Sequence, residues 1–142
     1  MKILFICHGN ICRSTMAQMI AEKYNKGLNL NLIIDSAAVS FEEIGNSIYP
    51  PAREILKRHN IEILNHYARH FEASEYDYWD AIYYMDSSNR RLLDRIHLDT
   101  SNKYHSLLNR DVSDPWYTRD FETCYNDIVE GIEKIVKEIK KN

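Results

Sequence analysis

The chain has 142 residues, 44% of them hydrophobic and 27% charged, with a formal net charge of -3. That is enough for one domain with a real core, expected over residues 1–142, and it is the composition of an ordinary soluble protein. The balance leaves no electrostatic footprint for nucleic acid, and no apolar run approaches the ~20 residues of a membrane span.

The N-terminal Met1-Lys2-Ile3 runs directly into a first strand and lacks a signal-peptide layout, so a cytoplasmic monomer is the expectation. Ile3-Leu4-Phe5-Ile6 is short, apolar and rich in branched or aromatic residues, as a buried strand should be. From Thr15 to about Lys26, Met16, Met19, Ile20 and Tyr24 recur at helical spacing, with either Thr15 and Gln18 or Ser14 as the start signal and Gly27 as the stop. Leu30 to Asp35 reads as a second strand, followed by a loop from Ser36 through Asn46. Pro50 and Pro51 open a helix over Ala52 to His59, and His66 to Arg69 is irregular. Trp79 to Met85 is a third strand, Ser87 starts a helix that turns Leu92, Leu93 and Ile96 inward, and Lys103 to Leu108 is a short fourth strand. Asp111 to Tyr117 is a loop by its Asp-Pro pair. The last helix, Asp120 to Lys141, carries an apolar face of Ile128, Val129, Ile132, Ile135, Val136 and Ile139. Alternating strands and helices predict a parallel α/β sheet, whose ligands gather at the carboxyl ends of the strands.

Cys7-His8-Gly9-Asn10-Ile11-Cys12-Arg13-Ser14 therefore lies on a strand-to-helix loop. Such a loop turns backbone N–H groups and the positive end of a helix toward an anion. Gly9 permits close backbone approach, and the Arg13 fork grips two phosphate oxygens. The same surroundings favour a thiolate at Cys7, aimed at whatever phosphorus the cup holds. A phosphate ester also needs a general acid for its leaving group. Asp114 is the candidate, although on the residues alone Asp114-Pro115 reads more readily as a plain turn. The three cysteines are too few and too odd for a secreted disulfide scaffold, and no Cys/His spacing fits zinc; neither metal nor cofactor is expected.

In the form C-H-G-N-I-C-R-S, this stretch resembles the phosphate loop of low-molecular-weight protein tyrosine phosphatases. Asp114-Pro115-Trp116-Tyr117, placed before the last helix, is similar to the Asp-Pro loop of that family. The resemblance implies a three-layer fold with a four-stranded parallel sheet in the order 2-1-3-4 and helices on both faces. It also implies a two-step hydrolysis of tyrosine-phosphorylated protein through a phosphocysteine at Cys7, with Arg13 and the amides of residues 8–14 holding the phosphoryl oxygens and Asp114 as acid and then base. Asn10, Ser14, Ser36 and His66 resemble the family's supporting network. Phe41 and Glu42, within the Ser40 to Ile44 loop, are expected to wall the substrate slot with Trp116 and Tyr117. A reversible Cys7–Cys12 disulfide is a further implication, and Asp86 is expected to cap a helix. Thr15, Gln18, His8 and Arg119 stand where the family usually has proline, glutamate, an apolar residue and glycine. Three other readings use the same loop: a protein arginine phosphatase, a thiol-dependent arsenate reductase and a non-catalytic phosphate-binding module. The arsenate reductase requires extra cysteines, and Ser74 to Arg95 contains none.

Overall fold

Strict alternation along the first strand decides which way its side chains point. In the computed structural model, which describes residues 1–141, β1 (Lys2–Cys7) sends Ile3, Phe5 and Cys7 to one face of the sheet and Leu4 and Ile6 to the other. The first face packs against helix α1 (Arg13–Leu28), α2 (Pro50–Arg58) and α5 (Phe121–Lys140) through Met16, Met19, Ile20, Ile55, Leu56, Ile128 and Ile132. The second packs Phe71, Tyr76, Trp79 and Leu93, the last on α3 (Ser87–Ile96). The four strands, with β2 (Ile33–Ala38), β3 (Ala81–Tyr84) and β4 (Tyr104–Ser106), form a parallel sheet in the order β2-β1-β3-β4. This is the expected architecture. Among the described residues, no helix is long and apolar enough to cross a membrane.

Local boundaries differ from the sequence reading: the third and fourth strands are shorter, at Ala81–Tyr84 and Tyr104–Ser106, and three further places have a clear physical cause. The second strand begins three residues after Leu30, because Asn29 and Asn31 take left-handed conformations and the Asn25 side chain bonds both Leu32 N and Leu32 O. The register then places Ser36 inside β2, opposite Phe5, rather than in the following loop. Helix α1 starts at Arg13 and has no side-chain cap, since the hydroxyls of Ser14 and Thr15 are used elsewhere. It also passes Gly27, ending with Asn29 as its left-handed cap. Finally, the Asp-Pro loop contains one helical turn, α4 (Pro115–Thr118), with Asp114 Oδ1 accepting from Trp116 N at 3.0 Å. Aspartate at the cap and proline in the first turn are what a helix start selects.

Candidate active site

The segment between β1 and α1 is shaped by where its carbonyls go. The oxygens of Cys7, His8, Ile11 and Cys12 accept from the N–H groups of Val39, Ser40, Tyr49 and Met16, and that of Asn10 accepts from the Thr15 hydroxyl at 2.9 Å. In a trans peptide the N–H points opposite to the C=O, and no cis bond occurs among the described residues. The N–H groups of His8, Gly9, Ile11, Cys12 and Arg13 are thereby turned away from those carbonyl partners, toward the cleft that residues 7–13 line. Asn10 makes the curl possible with a φ of 62°, a left-handed conformation that asparagine tolerates better than most residues.

Cys7 lies buried on the floor of this cleft. Its Sγ receives the Asn10 N–H at 3.3 Å and lies 3.0 Å from Ser14 Oγ. Ser14 Oγ already accepts from Asn10 Nδ2 at 2.8 Å, which leaves the serine hydrogen free to donate to sulfur. Asn10 Nδ2 also donates to Ser36 Oγ at 2.9 Å, and Ser36 donates to Gln18 Oε1. On its other side, Asn10 Oδ1 accepts from His66 Nε2 at 2.8 Å and from Arg69 N at 3.2 Å. The expected supporting residues Asn10, Ser14, Ser36 and His66 thus form one connected set under the loop. Burial lowers the His66 pKa below its ordinary value, with Asp35 opposing the effect and the Arg69 charge adding to it.

Arg13 is the other buried charge. Its Nη1 donates to Asp86 Oδ2 and to Val112 O, both at 2.8 Å, and its Nη2 lies 3.4 Å from Asp114 Oδ2. Burial opposes the guanidinium charge, but Cys7, Asp114 and Asp86 together outweigh it and raise the Arg13 pKa. Asp86 does cap α3, with Oδ1 accepting from Asn89 N at 2.9 Å, and its second oxygen orients Arg13. That second role, together with those of Gln18, Thr15, Val112 and Arg69, was missed by sequence reasoning. Only the unusual Thr15 and Gln18 carried any local signal.

The mouth is formed by Glu42, Glu43, Asp114, Trp116 and Tyr117, with His8 on the loop side. Phe41 is not among the lining residues; it stacks on His70 with ring centroids 3.8 Å apart, and Glu43 stands in the wall instead. The two cysteines of the loop differ. Cys12 also lines the cleft, but burial first, and then the neighbouring Cys7 and Asp114, push its thiol well above the ordinary range, with only Arg13 pulling back. Cys124 is core, its thiol pushed by burial to about 12. All three cysteines are free.

A sulfur supplied with two donors, a buried guanidinium and a carboxylate at the rim can hold and attack a tetrahedral oxyanion. The model of the low molecular weight phosphotyrosine protein phosphatase family matches residues 2–142. The chain is 33% identical to the low molecular weight protein-tyrosine-phosphatase YfkJ of Bacillus subtilis, over 99% of this chain and 96% of the relative. The crystal structure of YfkJ superposes with a TM-score of 0.93, covering 99% and 95% of the two chains. The human low molecular weight phosphotyrosine protein phosphatase is 34% identical, over 90% of this chain and 89% of its own length. A Drosophila arginine phosphatase, DARP, matches at 27% identity with a TM-score of 0.89, over 99% and 98% of the two chains. By sequence along nearly its whole length, and by fold, the chain belongs to the low molecular weight phosphotyrosine protein phosphatase family.

Proposed function

We propose that the chain hydrolyses phosphotyrosine monoesters in proteins, with Cys7 as nucleophile, Arg13 as phosphoryl clamp and Asp114 as general acid and base. The observation that carries this reading is the placement of Cys7 Sγ. It sits on the cleft floor, receives the Asn10 N–H and faces the Ser14 hydroxyl, and Arg13 and Asp114, bonded to each other, line the same cleft.

In the first step the Cys7 thiolate forms an S–P bond as the phosphorus–phenol oxygen bond breaks. The departing oxygen takes the proton of the Asp114 carboxyl, a contribution of about 10²–10⁴-fold. In the second step water attacks the phosphocysteine, gives a proton to Asp114 and releases inorganic phosphate. The electron pair of the S–P bond returns to the Cys7 sulfur, and the Ser14 hydroxyl donates a hydrogen bond to the thiolate that forms. Arg13 and the inward N–H groups neutralise the equatorial oxygens throughout, so the work is positioning and electrostatics. Trp116 and Tyr117 give the slot aromatic walls that suit a flat phenyl ring. Cys12, which lines the same cleft, is the thiol that would pair with an oxidised Cys7, and burial, by holding it protonated, slows that attack.

The test measures hydrolysis of para-nitrophenyl phosphate, a phosphotyrosine peptide and a phosphoarginine peptide by wild type, Cys7→Ser and Asp114→Ala. Turnover of the two phenyl esters that disappears in Cys7→Ser supports the reading. Turnover that survives Cys7→Ser overturns it. A preference for phosphoarginine replaces the substrate and leaves the nucleophile standing.

A further inference from the structure

The mouth of the cleft has a charge asymmetry that the chemical step does not need. On one side stand the rings of Trp116 and Tyr117, and on the other the carboxylates of Glu42 and Glu43. Both carboxylates are held in place. Glu42 Oε2 lies 3.1 Å from His8 Nε2, and Glu43 Oε2 accepts from Asn46 Nδ2 at 2.6 Å. The Glu43 stem also covers the loop, so that a Cβ on Gly9 would lie 3.2 Å from Glu43 Cγ. Of the arginines near the cleft, Arg13 is paired with Asp86 and Asp114, and Arg119 lies over the Trp116 ring, 5.9 Å from its centre, with Nη1 on Tyr49 Oη.

A dianionic substrate therefore passes two carboxylates on its way to Cys7. Acidic neighbours on the substrate add to that repulsion, whereas a cation beside the phosphorylated residue relieves it and pairs with the rim. We propose that Glu42 and Glu43 are specificity-determining residues that select phosphotyrosine segments carrying Lys or Arg next to the phosphorylated residue. This rests on the phosphotyrosine reading above and names its substrate class. Exposed charge pairs are individually weak, worth about two- to fivefold each, and are screened by salt. Their effect on the encounter falls on kcat/KM.

The experiment compares kcat/KM for two phosphotyrosine peptides that differ only in having Lys or Glu on both sides of the phosphorylated residue. Para-nitrophenyl phosphate serves as the flank-free reference. Wild type is expected to favour the Lys peptide by about tenfold at low salt, shrinking to about twofold near 0.5 M NaCl. Glu42→Gln with Glu43→Gln is expected to bring the ratio close to one. The salt series uses wild type alone, so it stands whether or not the double variant folds. A wild-type ratio near one at low salt, or a ratio unchanged in a folded double variant, overturns the proposal. Turnover of all three substrates without preference removes this proposal alone, and turnover of none removes the phosphotyrosine reading with it.

Discussion

The floor and the mouth of the cleft are built on opposite plans. On the floor Asn10, Arg13, Ser14 and Ser36 are buried polar residues, and each one has several partners. At the mouth Tyr117 is 81% exposed and Trp116 43%, and the Glu42 carboxylate faces the His8 ring alone among the ion pairs of the described residues. Buried polar groups are expensive to leave unpaired, so the floor admits one arrangement. Exposed ones exchange with water at little cost, so the mouth can vary without endangering the fold. The proposed reaction chemistry falls in the first region and the proposed choice of substrate in the second.

The sharpest way to break the floor is Cys7→Ser, which is expected to lower phenyl phosphate hydrolysis by on the order of 10⁴-fold or more. Arg13→Lys follows. A lysine cannot reproduce the two bonds to Asp86 and Val112 while gripping phosphate, so a loss on the order of 10³-fold in kcat is expected from steady-state kinetics. Asn10→Ala leaves Ser14, Ser36 and His66 each short of a partner. A fall in stability of about 1–3 kcal/mol is expected in urea unfolding, with activity falling alongside. Acid is a gentler probe. The pKa of His66 is lower in the folded chain than its unfolded value near 6.5. Below that pH the unfolded state takes up the proton first, so the contribution of neutral His66 is full above 6.5 and declines as pH drops toward the folded value. Unfolding midpoints measured against pH in wild type and His66→Gln should diverge in that window and run parallel above it. The mouth should respond least. Arg119 holds a left-handed φ of 62°, which glycine adopts freely. Arg119→Gly trades that relief against the bond to Tyr49, and a stability change within about 1 kcal/mol is expected.

This contrast also explains how much was legible beforehand. Cys7 to Ser14 is one contiguous stretch between a strand and a helix, so its geometry follows from local order. The sheet class followed from periodicity, and the strand order came from the resemblance. What escaped was long-range. Asp86 is 73 residues from Arg13, a separation that leaves no pattern in a single chain, and His66, 56 residues from Asn10, was expected only through the resemblance. The start of β2 was misplaced because Leu30 and Leu32 look like strand residues, while the decisive feature is two left-handed asparagines around them. Phe41 was assigned to the slot from its position in the loop, but His70 offers it a stacking partner elsewhere.

The carbonyl oxygens of residues 7, 8, 10, 11 and 12 are moored by the protein's own bonds to the segment just after β2, the start of α2 and the first turn of α1. A cradle assembled in advance does not distinguish an ester from the free oxyanion left after cleavage. The reaction's own end product should then compete for the same seat, and accumulating inorganic phosphate should throttle turnover in a competitive manner.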